Sequence, residues 1–400
     1  MSLMQVEEPE PVPRSGGLFG HPVWNLGFRP FYLASALLAA LAVPLWLARY
    51  YGWLPVLAKV DLAWHMHEMI FGMAIAVVVG FLFTAGRNWT GLWTPVRGHL
   101  AALVALWLAG RVALLTVGGT VGALVDLLFL PCAIWPLWQV MRRSKNSRNY
   151  MFVVLLSLLT LANALYHAVW LGWLSLPLMA PAHGAILMIV LIESLIGTRV
   201  IPMFTRNGAP GTVPKVVPTL DKVSVGLLVA SALAWVAALP GWLVAPLCVA
   251  AGVVLLYRLA GWQPQRTVRV PLLWVLHLSY GWIGVGFILL ALAALGMVSA
   301  SAAFHALTVG SMAGLIIGMM TRTSLGHTGR PLLAGRTEFW MYAAIQVGAV
   351  ARVLASLLTQ PELREGLMVL ATVGWTLAFW LFLAKYARYL GQPRIDGKEG

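Results

Sequence analysis

Apolar runs of about twenty residues, the length a helix needs to cross a bilayer, recur along the chain with short polar breaks between them. They predict helices near 30–50, 64–86, 99–117, 120–141, 151–173 and 178–201, and then near 223–240, 241–260, 271–297, 301–321, 337–358 and 364–390. Twelve such spans make an all-α, polytopic membrane protein: one membrane domain over 27–390 between an N-terminal tail, 1–26, and a C-terminal tail, 391–400. The polar breaks alternate in charge. Of the 27 Lys and Arg, all but Arg49, Lys59, Arg111, Arg352 and Arg364 lie at the termini or around the connections that follow every second helix. Basic residues are retained on the cytoplasmic side, so both tails are predicted to be cytoplasmic.

A weak internal repetition divides the spans into three pseudo-equivalent units of four helices, about 27–141, 151–260 and 271–390. Gly52-Trp53-Leu54, Gly172-Trp173-Leu174 and Gly296-Met297-Val298 each close an odd-numbered helix on the outer side. A histidine follows each of them after 15, 11 and 9 residues: His67, His183 and His305. A further echo pairs Gly110-Arg111-Val112 with Ala351-Arg352-Val353.

The polar residues inside the spans concentrate at one depth. At about 1.5 Å per residue, His65, His67, His183 and His305 lie just inside the outer ends of their helices, and His167 lies near the outer end of its own. Histidine alone is more often structural than ligating, but five imidazoles on four helices at one depth point to a metal or haem site in the outer third of the membrane. His65 and His67 project about 200° apart around their helix, so each can serve a different centre. Met69, one turn beyond His65, offers a thioether suited to Cu(I), against the alternative of ordinary packing. Arg111 and Arg352 reach the same layer, and a buried guanidinium needs an anion. For Arg111 this is either Asp126, level with it across a short hairpin, or a bound acidic group such as a haem propionate. Arg352 has no carboxylate at its depth in its own unit, which favours the propionate. Glu193, near mid-membrane, belongs either to a proton path or to a neutral hydrogen-bonded pair.

Composition agrees with the pattern: 60% hydrophobic and 10% charged residues, with mean hydropathy +0.84, exclude a soluble domain. The net charge of +14 does not indicate nucleic acid, because its basic residues follow the membrane topology. Cys132 and Cys248 sit in apolar runs, are read as core residues and form no metal spacing. No Cys-x-x-Cys-His is present, so any haem is expected to be held without thioether links, as in b-type haem. The acidic, proline-rich start, with Glu7, Glu8 and Glu10, is read as a disordered tail and not a cleavable signal.

Gly27-Phe28-Arg29-Pro30-Phe31-Tyr32, Trp64-His65-Met66-His67-Glu68-Met69, Arg87-Asn88-Trp89-Thr90-Gly91 and the run from His305 through Thr321-Arg322 to Gly326-His327-Thr328-Gly329-Arg330-Pro331 resemble the NnrS family. These are haem- and copper-containing bacterial membrane proteins tied to nitric oxide metabolism and nitrosative stress. The resemblance implies haem and copper in the inner membrane and nitric oxide as the ligand, but it carries no ligand assignments. The grouping of helices is also similar to the catalytic subunit of haem-copper oxidases and nitric oxide reductases. The match is incomplete, since the adjacent His-His of helix 7 is absent and the His-x-His falls on helix 2 instead of helix 10. The expected function is nitric oxide binding and transformation at a haem-copper site, with electrons from a quinol or a periplasmic cytochrome. The alternatives are a non-catalytic haem protein that senses or scavenges nitric oxide, and a transporter.

Overall fold

The structure, a computed structural model, describes residues 17–398. Among these residues there is no strand, and twelve helices are long and apolar enough to cross a membrane. We number them α1 (Phe28–Tyr50), α2 (Leu62–Thr90), α3 (Arg97–Thr116), α4 (Gly119–Arg143), α5 (Ser147–Trp170) and α6 (Met179–Gly208). The rest are α7 (Pro218–Val236), α8 (Gly241–Gly261), α9 (Pro271–Ala294), α10 (Ala300–His327), α11 (Arg336–Leu357) and α12 (Pro361–Leu390). The main departures from the hydropathy reading are α6 and α10, which continue to Gly208 and His327 beyond the expected ends at 201 and 321. Hydropathy reports the lipid-buried part of a helix and not the polar turns that project past it.

Of the expected N-terminal tail, residues 1–16 lie outside the described residues, and the three acidic positions fall there. From Leu18 to Trp24 the chain forms two short 3-10 turns, and Leu26 is buried. Cys248 is buried as expected, whereas Cys132 lies on an exposed helix face.

Three chain reversals share one construction. Gly52, Gly172 and Gly296 adopt φ of 73°, 76° and 72°, a left-handed conformation that favours glycine. Each closes its helix by donating to the carbonyl three residues back, while the next residue donates five back: Trp53 to Ala48, Trp173 to Ala168 and Met297 to Leu292. This paired ending satisfies carbonyls that the helix end leaves free.

Of the twelve spans α2 and α10 are the most enclosed, whereas α7 is largely exposed on the rim. The start of the first span and the close of the last meet on one side. Arg29, fully buried at the start of α1, donates to the carbonyls of Leu390 and Gln392, both at 2.8 Å. Arg330 donates to Gln392 Oε1 at 3.1 Å, and Ile395 N–H donates to the carbonyl of Thr328 at 3.2 Å.

Candidate functional site

The site is built on α2 and α10, which open alike. The Asp61 carboxylate accepts from the Trp64 N–H at 2.7 Å, and six α-helical residues, Leu62–His67, lead to a π-helical turn over Glu68–Ala74. In α10 the Ser299 hydroxyl accepts from the Ser301 N–H at 3.2 Å, and six residues, Ala300–His305, lead to a π turn over Ala306–Ala313. Such widened turns are frequent at functional sites because they re-aim side chains and loosen the carbonyl ladder. In α2 the carbonyls of Phe71, Gly72 and Met73 accept from the side chains of Arg111, Trp107 and Ser35. Gly72 is required there, because a Cβ would lie 2.8 Å from Glu68 Oε2 and 2.9 Å from Leu38.

The first group of polar residues converges on Asp126 of α4. His67 Nε2 lies 3.2 Å and His167 Nε2 2.9 Å from Asp126 Oδ2, and Asn163 Nδ2 donates to that oxygen at 2.8 Å. Arg111 pairs with Asp126 Oδ1 on one side and, through Nε at 3.0 Å, with Glu68 Oε2 on the other. Gly110 lets the two helices approach this closely, since a Cβ there would stand 3.0 Å from the Asp126 Cα. His67 Nδ1 faces Glu68 Oε1 at 3.1 Å. His67, Glu68, Arg111, Asp126, Asn163 and His167 are all buried.

With both carboxyls ionised and both imidazoles neutral, this group is one positive charge short. If His67 gives its Nδ1–H to Glu68, the lone pair on Nε2 points at the acceptor Asp126 Oδ2. With neutral imidazoles, one guanidinium faces two carboxylates. A second proton on His67 or a bound cation supplies the missing charge. The donor atoms His67 Nε2, His167 Nε2 and Asp126 Oδ2 lie within 4.8 Å of one another. A metal with nitrogen and oxygen ligands at about 2.0–2.2 Å in a tetrahedral array keeps those ligands roughly 3.3–3.5 Å apart, close to the spacing here. Glu68 then occupies the place of the outer carboxylate that orients a ligating histidine.

The second group lies on the other face of α2. His65 stacks on Trp46 with ring centroids 4.2 Å apart, and its buried Nδ1 has no hydrogen-bond partner. Its electrostatic neighbour is Arg352 of α11, which also neighbours His305. His305 Nδ1 lies 2.7 Å from the Ser301 carbonyl, so the proton is assigned to Nδ1 and the Nε2 lone pair is left free. Arg352 donates to Ser356 Oγ at 2.6 Å, and Ser356 Oγ lies 3.2 Å from Ser301 Oγ. Among the described residues Arg352 has no carboxylate partner.

The five histidines named from sequence therefore occupy three settings. His67 and His167 share one group, and His65 and His305 lie with Arg352. His183 stands apart: Trp235 Nε1–H donates to its Nδ1 at 3.2 Å, and its ring lies flat on Phe304 at 3.6 Å. Because Nδ1 accepts, the neutral ring carries its proton on Nε2. Met69 packs, with Leu38 and Trp170, against both the main apolar core and the smaller cluster around Trp46 and Trp64. Arg111 pairs with Asp126 and Glu68, the protein-anion alternative. Asn163 received no role from sequence, although its position four residues before His167 puts both on one helix face.

Residues 22–394 match a family model described as NnrS protein. No curated protein matches the chain.

Proposed function

Because the chain belongs to the NnrS family, we propose that it is a nitric-oxide-linked membrane protein that holds copper and haem in its two histidine groups and transforms nitric oxide there. The observation that carries this reading is the buried triangle of His67 Nε2, His167 Nε2 and Asp126 Oδ2, three donor atoms within 4.8 Å of one another, in a group where one guanidinium faces two carboxyls. A copper ion fits it, with Glu68 orienting His67 and Arg111 holding Asp126 in place. His65 and His305 are the residues suited to a haem iron, since among the described residues His65 Nδ1 has no hydrogen-bond partner and His305 keeps its Nε2 lone pair free, and Arg352 is suited to its propionates. When bound, these groups supply one-electron redox chemistry and a binding position for a diatomic gas. The chain supplies what surrounds them. Trp46, Trp64 and Trp170 exclude water, Arg111 and Glu68 balance charge, and the surrounding apolar helices let a small neutral gas enter from lipid. Electrons come from a quinol or a periplasmic cytochrome, and the bacterial inner membrane with cytoplasmic termini is the setting.

Metal analysis of purified variants tests the division of labour. His67→Ala and His167→Ala are expected to lower copper content tenfold or more while the haem Soret band persists. His65→Ala and His305→Ala are expected to lose haem and keep copper. Equal copper and haem across the four variants would remove both assignments, and holoprotein that consumes no nitric oxide with an electron donor would leave binding without turnover.

A further inference from the structure

Between α1, α2, α6, α9 and α10 lies a cavity that neither histidine group uses. It is bounded by Tyr32 of α1, Val77 and Phe81 of α2, Glu193 of α6, Leu276 of α9 and Met319 of α10. About 80 Å³ of it is open to molecules the size of water, room for a few waters at about 10–15 Å³ each. Its lining is otherwise Ile, Val, Leu, Gly, Phe and Met, and among the described residues Glu193 and Tyr32 are the only titratable ones that line it. Glu193 lies ten residues deeper along α6 than His183, near mid-membrane. Ser311, in the π turn of α10, donates to Glu193 Oε2 at 3.0 Å, and Glu193 has no ion-pair partner among the described residues. An uncompensated carboxylate here is costly, so the neutral acid is the resting form. A serine hydroxyl can donate to the carboxylate or accept from the acid, so the bond to Ser311 survives either state. Tyr32 lies four residues from the start of α1, the end that meets the close of α12. Ser311 lies six residues along α10 from His305. The cavity thus runs from Tyr32, near the start of α1, to Glu193, whose hydrogen bond to Ser311 links it to the wide turn of α10.

We propose that Glu193 is a proton-loading carboxyl, charged from the cytoplasmic side through the Tyr32 hydroxyl and cavity water and discharged past Ser311 toward the His305 group. From Glu193 to Ser311 the proton moves along a hydrogen bond, and water carries it over the remaining stretches, from Tyr32 to Glu193 and from Ser311 toward His305. The Glu193 O–H bond breaks as the proton leaves outward, and cavity water then returns a proton to the carboxylate. No electrons move. The direction of discharge rests on the redox reading of the His305 group, whereas the loading site itself does not.

Infrared spectroscopy of the full-length protein in lipid vesicles at neutral pH tests it. A carboxylic acid C=O band is expected that is lost in Glu193→Gln and shifted to higher wavenumber in Ser311→Ala, which removes the hydrogen bond. In Tyr32→Phe the band is expected to keep its position while its shift after transfer to D2O slows tenfold or more. If Glu193→Gln does not accumulate, carbon-13 labelling of glutamate carboxyls identifies the band in the unaltered protein through its response to Ser311→Ala. Absence of a band with these dependences, or an unchanged exchange rate in Tyr32→Phe, overturns the proposal. A protein that shows the band and its Tyr32 dependence but does not react with nitric oxide overturns the redox reading alone.

Discussion

Asp126 shows how much depends on one carboxyl at the residue scale, because it faces His67, His167, Asn163 and Arg111 together. Removing one member of a buried ion pair leaves the other charge unpaired and typically costs about 3–5 kcal/mol. Arg111→Leu and Asp126→Asn are each expected to lower unfolding stability by about that amount. The double variant should lose less than the sum, and additive losses would show that the two do not act as a pair. Arg352 is expected to behave differently, since among the described residues its side chain donates only to Ser356 and meets no carboxylate. Arg352→Leu should fold normally, retain haem poorly and shift the remaining haem to lower reduction potential, because a buried positive charge favours the reduced iron. Arg352→Lys keeps the charge but loses the planar fork, so its potential should move less. A redox titration in which the fully loaded leucine variant has an unmoved midpoint would detach Arg352 from the haem. That His65 and His67 lie on different faces, in different settings, was legible in sequence, because their spacing alone turns them apart. Their partners were not, because counting residues gives depth along the membrane normal and says nothing about position around it. That is why His183, at the same depth, sits against Trp235 and Phe304 and not in either group.

At the element scale the two π turns decide where the histidines point, and neither was legible. A helix buried nearly all round loses the one-sided apolar stripe from which helical period is read, and α2 and α10 are the most enclosed of the set. The glycine endings after α1, α5 and α9 were legible as a repeated motif because left-handed backbone selects glycine over other residues. Gly72 tests the coupling between turn and site. Gly72→Ala would place a methyl 2.8 Å from Glu68 Oε2 and 3.2 Å from Arg111 Nη1, so the Glu68 carboxylate that orients His67 must shift. Copper content is expected to fall about 10–100-fold, the usual range for disturbing an outer partner of a ligand, with haem content unchanged. Gly314→Ala, whose methyl would clash with Ser279 Oγ in the α10 partner layer, is expected to lower thermal stability without selectively affecting copper. If the two variants behaved alike, the π turn of α2 would have no special link to the first group.

At the scale of the whole molecule, the side on which the chain ends meet determines which way the histidine layer faces. Arg29 binds the carbonyls of Leu390 and Gln392, so the start of α1 and the end of α12 share one membrane side and a single measurement orients both. Nearly all the basic residues lie on that side, including Arg142, Arg143, Lys145 and Arg148 between α4 and α5. Short loops with several Lys and Arg resist translocation across the membrane, so that side is predicted to be cytoplasmic and the histidines to lie toward the periplasm. A fluorescent protein that matures only in the cytoplasm is expected to be bright when fused after residue 400. A phosphatase active only in the periplasm is expected to work when inserted at Gly172, where the backbone turns outward and a Cβ would meet nothing within 4 Å. The opposite pair of results would invert the molecule. It would place the Tyr32 entrance on the periplasmic side and the histidine layer within reach of the cytoplasm, and a periplasmic cytochrome could no longer serve as donor.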